Sequence, residues 1–200
     1  MNSIVAKASP SITSMIRMDH THVMAAFHRY KKDTSPARKQ AIVEHICLAL
    51  TVHAQLEEEI FYPALQTVLQ GDEVLNDSKP EHDEMRGYID KLRGMSPEED
   101  AFDDTLMDLM RVVIHHVADE ETQLLPAAER LLGDQLKSLG AQMTKRRMEL
   151  LGPHAGEIVS TGARTFPAGA AIAIGGALAL GAMLFAKSQR RSGNGRWYSR

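Results

Sequence analysis

The sequence predicts an all-α fold, an antiparallel up-down four-helix bundle followed by an apolar C-terminal helix, and three observations carry that expectation. Apolar residues recur at three- and four-residue intervals through residues 11–150, cap and proline signals divide that stretch into helices with short connections, and strand-like alternation is absent. The composition agrees. With five Phe, four Tyr and one Trp in 200 residues, packing falls to Leu, Ala, Met, Ile and Val, which suit aliphatic helix faces.

The first helix is expected over 11–32. The lead-in MNSIVAKASPSITSM has one lysine and no long apolar run, so it does not read as a secretory signal. Ser35-Pro36 sets a cap before a proline at the first helical position, opening a second helix over 36–69. Ser78-Lys79-Pro80-Glu81 and Ser96-Pro97-Glu98-Glu99 each place a serine three residues before a glutamate, the pattern of a capping box. They open helices over 79–94 and 97–132. A shorter amphipathic piece follows near 134–150. The expected organisation is a bundle with this short extra helix over 1–152, a linker over 153–166, an apolar helix over 167–186 and a basic tail over 187–200.

That apolar stretch, PAGAAIAIGGALALGAMLFA, runs twenty residues without a charge between Arg164 and Lys187, long enough to cross a hydrocarbon core. Gly169, Ala173, Ala177 and Gly181 recur every four residues and offer a close face for self-association. The tail KSQRRSGNGRWYSR is basic and suits anionic headgroups. Counting its positive charges would place it in the cytoplasm and the bundle across the membrane, but no signal leads that export. The expectation is a cytoplasmic bundle anchored to the inner membrane through 167–186, with a soluble cytoplasmic protein as the alternative. The net charge is −3 and basic residues cluster only at the extreme C-terminus, so no nucleic-acid partner is expected. Cys47 stands alone, which excludes an internal disulfide and every cysteine-based metal cluster and fits a reducing compartment.

Two H-x-x-x-E motifs carry the chemistry: His53 with Glu57, and His116 with Glu120. A four-residue separation puts imidazole and carboxylate one turn apart on the same helix face. In the fourth helix the apolar stripe reads Phe102, Leu106, Leu109, Val113, His116, Glu120, Leu124, Ala127, Leu131, running straight through the two polar residues. In the second it reads Ile42, Ile46, Ala49, His53, Glu57, Ile60, Ala64. The first helix brings His20 to the stripe of Ile16, Val23, Phe27 and Tyr30, and the third brings His82 to that of Met85, Ile89 and Leu92. A lone inward histidine is most simply a core residue with a local hydrogen bond. An inward glutamate without lysine or arginine on the same faces is harder to accommodate, and bound cations would compensate it. Four imidazoles and two carboxylates exceed one tetrahedral zinc but suit two ions joined by the carboxylates and an oxide or hydroxide. The donors favour iron or manganese, with zinc as an alternative.

These segments, Asp19-His20, HAQLEEEIFYPAL (53–65), EHDEM (81–85) and HHVADEETQLLPAAERL (115–131), resemble the hemerythrin-like, or HHE cation-binding, family. The resemblance covers about residues 12–135. It implies a non-haem centre of two iron ions, with His20 and His53 on one iron, His82 and His116 on the other, and Glu57 and Glu120 between them. It also implies that the chain binds or senses dioxygen, or responds to nitric oxide or peroxide. The sequence departs from the oxygen carriers of that family at two places. Ser78 stands where they have a fifth histidine, and the second bridging position is Glu120, four residues after its histidine, where they have an aspartate one residue later. Loss of an imidazole favours sensing or peroxide handling over reversible carriage. A di-iron oxidase or peroxidase-like enzyme and a structural or membrane-interacting bundle without metal are the competing expectations, and a metal- or oxygen-binding protein is favoured over a dedicated enzyme.

Other polar residues near the motifs are expected outside the site. Asp19, Glu58, Glu59, Glu81 and Glu121 read as surface groups in preference to contacts behind the ligands, Tyr30 and Tyr62 as packing in preference to a hydrogen bond near the pocket, His45 and His115 as surface residues, and Cys47 as inert packing in preference to a redox sensor. His22, two residues from His20, falls on another face.

Overall fold

The structure, a computed structural model, describes residues 9–154. The expected linker beyond His154, the apolar helix over 167–186 and the basic tail lie outside the described residues. Among those described, no helix is long and apolar enough to cross a membrane.

Helix α1 is Ile12–Arg29. Helix α2, residues 36–66, is built from Pro36–Leu56, a π-helical turn Glu57–Phe61, and Tyr62–Gln66. Helix α3 is Glu73–Gly94. Helix α4, residues 100–132, repeats the construction of α2 with Asp100–Asp119, a π-helical turn Glu120–Leu124, and Leu125–Leu132. Helix α5 is Leu136–Leu151. No strand occurs among the described residues. The connections are short, so α1 to α4 run as successive antiparallel neighbours, with α1 packed on α2 and α3 on α4. Helix α5 lies against α1 and α2.

Several boundaries differ from the expectation. The first helix stops at Arg29, where Tyr30 turns extended. The second ends at Gln66, and the fourth begins at Asp100. There Ser96 N–H does donate to Glu99 Oε1 at 2.6 Å, but this closes a turn that precedes the regular helix. The third helix starts six residues earlier than 79, capped by Asp72, whose Oδ1 accepts from Leu75 N–H at 3.0 Å. Ser78 is therefore no cap. It is buried inside α3 and donates to the Val74 carbonyl at 2.8 Å, while Pro80 is carried within the helix.

The two π-helical turns explain the remaining differences. Each begins at the glutamate of an H-x-x-x-E motif and ends just before a leucine or tyrosine followed by proline, Tyr62-Pro63 and Leu125-Pro126. Proline has no N–H to offer and its ring crowds the preceding turn, so a widened turn accommodates it. The N–H groups of Tyr62 and Leu125 bond back to the carbonyls of Glu57 and Glu120, five residues earlier. One extra residue in the turn rotates everything after it. Thus Phe61 and Leu65 are fully buried where Ile60 and Ala64 were expected, and Leu132 is buried while Leu131 is 42% exposed.

The core has two apolar clusters. One contains Val23, Phe27, Ile46, Ile89, Phe102 and Leu106, and the other Ile16, Leu56, Phe61, Leu65, Leu124 and Leu125. Each fully buried side chain of this kind contributes roughly 1.5–3 kcal/mol. A polar layer lies where the two clusters meet, with His20, His82 and His116 each falling in sequence between residues of one cluster and residues of the other, and His53 close to the change from Leu50 of the first cluster to Val52 of the second.

Candidate metal centre

The structure brings all six sequence-expected donors into this layer. His20, His53, Glu57, His82, His116 and Glu120 are each no more than 5% exposed. Two sets of potential donor atoms form, His20, His53, Glu57 and Glu120 in one and Glu57, His82 and His116 in the other, so Glu57 belongs to both. His20 Nε2 lies 3.2 Å from Glu120 Oε2, His53 Nε2 3.1 Å and His82 Nε2 3.4 Å from Glu57 Oε2, and His116 Nε2 3.6 Å from Glu120 Oε2. Donors about 2.1 Å from one ion stand about 3.0–3.4 Å apart, so these separations fit shared cations.

Outward contacts settle which nitrogen faces the centre. His20 Nδ1 is 2.9 Å from Glu121 Oε1, His82 Nδ1 is 3.0 Å from Glu58 Oε1, and His116 Nδ1 is 2.9 Å from Glu81 Oε2. His53 Nδ1 lies 3.5 Å from Asp19 Oδ2. A carboxylate at Nδ1 selects the tautomer with the proton there, leaving the Nε2 lone pair pointing inward. His82 Nε2 and His116 Nε2 then face each other at 3.2 Å, two acceptors that repel unless a cation or a proton lies between them. His20 Nε2, His53 Nε2, Glu57 Oε1 and Glu120 Oε2 are buried with no hydrogen-bond partner. Such groups are costly when left bare, and a bound cation satisfies them all. The residues present therefore fit a metal pair.

The electrostatics say the same. Burial, then the charge of Glu120, pushes Glu57 well above the usual carboxylate range. Burial also opposes ionisation of Glu120, but His20, His116 and His53 outweigh it and hold that group at about 2. The two carboxylates are thus driven apart, Glu57 toward its protonated form and Glu120 toward its ionised form. Burial, followed by His116 and His53, pushes His82 down to about 3. Burial opposes protonation of His20 too, yet Glu120 and Glu121 raise it above the ordinary histidine value.

Four of the carboxylates expected at the surface instead face the imidazoles: Asp19, Glu58, Glu81 and Glu121. Arginines secure three of them, Arg147 on Asp19, Arg86 on Glu58 and Arg17 on Glu121. Glu59 alone of that group is a surface residue, paired with Arg146 at 2.6 Å. Positions adjacent to a ligand or its motif were the available signal, because a histidine ligand needs an acceptor at its second nitrogen. Tyr62 is buried, as packing requires, and also takes the alternative role of a hydrogen bond at the pocket. Its ring stacks on His82, and its hydroxyl donates to Glu120 Oε1 at 2.9 Å and lies 3.3 Å from His82 Nε2. The buried Ser78 hydroxyl lies beside it, so the position that holds a fifth histidine in the oxygen carriers adjoins a tyrosine here.

Tyr30 does serve as packing, donating to Asp103, which also holds the buried Lys39 at 2.8 Å. His45 is not a free surface group. It is half-buried, its Nε2 2.6 Å from His22 Nε2. His115 is exposed beside Glu81 and Asp119. Burial raises the Cys47 thiol to about 11, in keeping with inert packing.

Residues 11–128 match the family described as the hemerythrin HHE cation binding domain. A protein of Nostoc sp. (strain PCC 7120 / SAG 25.82 / UTEX 2576) named a DNA nickase is 30% identical over 129 residues, which cover 64% of this chain and 36% of that protein. The chain thus spans little more than a third of that relative. The crystal structure of a hemerythrin HHE cation binding domain-containing protein from Mycobacterium kansasii, a homologue of Rv2633c, aligns with a TM-score of 0.63 at 17% identity. The alignment covers 74% of this chain and 92% of that one, a likeness of fold.

Proposed function

The chain belongs to the hemerythrin HHE cation-binding family, and from that premise we propose that its bundle holds two iron ions and uses them to bind or sense dioxygen, nitric oxide or peroxide. The observation that carries this reading is the convergence of four imidazole Nε2 lone pairs and two carboxylates in a layer closed to solvent, with four of those atoms lacking any partner. When bound, an iron pair supplies redox chemistry toward small oxygen and nitrogen oxides. The protein supplies the rest. Glu58, Glu81, Glu121 and Asp19 orient the imidazoles, the two apolar clusters exclude water, and the Tyr62 hydroxyl offers a proton and a hydrogen bond at Glu120.

The burial of the donors limits the substrate. Atoms of residues at most 5% exposed are out of reach of a nucleic-acid phosphodiester, so the activity named for the Nostoc relative is not proposed for this bundle. The test is an absorption spectrum of the iron-loaded chain, reduced under anaerobic conditions and then exposed separately to dioxygen, nitric oxide and peroxide. New charge-transfer bands with at least one of them are expected. Identical spectra throughout would refute the reading.

A further inference from the structure

Helix α5 begins after the family match ends at residue 128, yet one of its side chains holds a carboxylate that faces an imidazole of the candidate centre. Arg147 grips Asp19 with both prongs of its guanidinium, Nη1 donating to Oδ1 at 2.9 Å and Nη2 to Oδ2. That planar two-bond geometry fixes a carboxylate in orientation as well as place. The same Oδ2 lies 3.5 Å from His53 Nδ1. At the other three imidazoles the carboxylate stands at 2.9–3.0 Å, so the contact with His53 is the loosest of the four and does least to hold its own acceptor.

Arg86 and Arg17, which secure Glu58 and Glu121, come from the bundle itself. Asp19 is secured from outside it. Arg147 Nε is buried without an acceptor, so the guanidinium is committed to Asp19 and not spread over several partners. The helix that carries it has a fixed seat. A Cβ at Gly140 would lie 2.1 Å from the Pro10 carbonyl oxygen, so backbone meets backbone where α5 crosses the start of α1.

We propose that Arg147 is a positioning residue for the metal centre: it holds Asp19 facing His53, so that the docking of α5 sets the orientation of one imidazole. This deepens the di-iron reading and rests on it. Without the guanidinium, Asp19 is free to turn to water, and the His53 ring loses the acceptor that fixes its tautomer and plane.

The test uses the full-length chain loaded with iron, as wild type, Arg147→Met, Arg147→Lys and Arg146→Met. Metal content is measured first, then the rate of iron removal by excess chelator, with thermal unfolding of the metal-free proteins alongside. Arg147→Met is expected to release iron about tenfold faster or more, the usual effect of losing a group that orients a metal ligand. Arg147→Lys, which retains charge without the fork, should fall between it and wild type. Arg146→Met breaks the neighbouring pair with Glu59 on the same helix and should release iron as wild type does. Wild-type release from Arg147→Met, or equally fast release from Arg146→Met, would overturn the assignment while leaving the di-iron reading intact. A wild-type chain that takes up no iron would overturn both.

Discussion

At the scale of single residues, the centre is defined by which atoms have partners and which do not. Each of the four imidazoles turns Nδ1 toward a carboxylate and Nε2 toward the centre, where the two buried glutamates meet. Proton release on metal uptake follows. Burial opposes protonation of His20 but Glu120 raises it above the ordinary histidine value, and burial with the charge of Glu120 raises Glu57 well above the carboxylate range, so each holds its proton to higher pH than a free group would. His82, at about 3, is already neutral and contributes nothing. Each group must be deprotonated before a cation binds, so affinity should rise with pH, and calorimetry in buffers of different ionisation enthalpy should show proton release. Uptake that is independent of pH would contradict this. Glu120→Ala removes one carboxylate of the centre and the acceptor of the Tyr62 hydroxyl, and iron affinity should fall by about tenfold or more. Tyr62→Phe leaves Glu120 Oε1 without its 2.9 Å donor, so a loss of about 1–3 kcal/mol is expected in denaturant unfolding of the metal-free chain.

At the scale of elements, the helices and their inward histidines were legible because 3.6-residue periodicity survives through His20, His53, His82 and His116. What the pattern hid was the change of period. The π turns that begin at Glu57 and Glu120 add a residue and move burial from Ile60 to Phe61 and from Leu131 to Leu132. The prolines six residues after each glutamate, Pro63 and Pro126, were the visible sign of that widening. The early start of α3 was concealed differently, since Ser78 and Pro80 imitate a cap while the true cap, Asp72, lies further upstream. The orienting carboxylates were hidden by their charge, which reads as solvent-facing unless the second nitrogen of each histidine is counted. The seating of α5 on backbone at Gly140 gives a prediction at this scale. Gly140→Ala forces the helix off Pro10 and should lower stability in chemical unfolding by about 1–3 kcal/mol, and unchanged stability would mean the close approach is not a constraint.

At the scale of the whole molecule, the polar layer is a discontinuity in the core that metal repairs. Two apolar clusters supply the stability of the bundle, and between them lie donors whose burial is unfavourable when bare. The metal-loaded chain should therefore melt higher than the metal-free one, because the site is assembled only in the folded state. The uncharged run over 167–186 gives a separate expectation from sequence: the full chain should sediment with vesicles containing anionic lipid, and a chain ending at residue 152 should not. The measurement closest to the central claim is metal content with stoichiometry, made on the full-length chain expressed with ample iron and compared with its chelated form by thermal unfolding. Two irons per chain and a higher melting temperature than the chelated form are the predicted result. A metal-free protein that is equally stable would contradict the account.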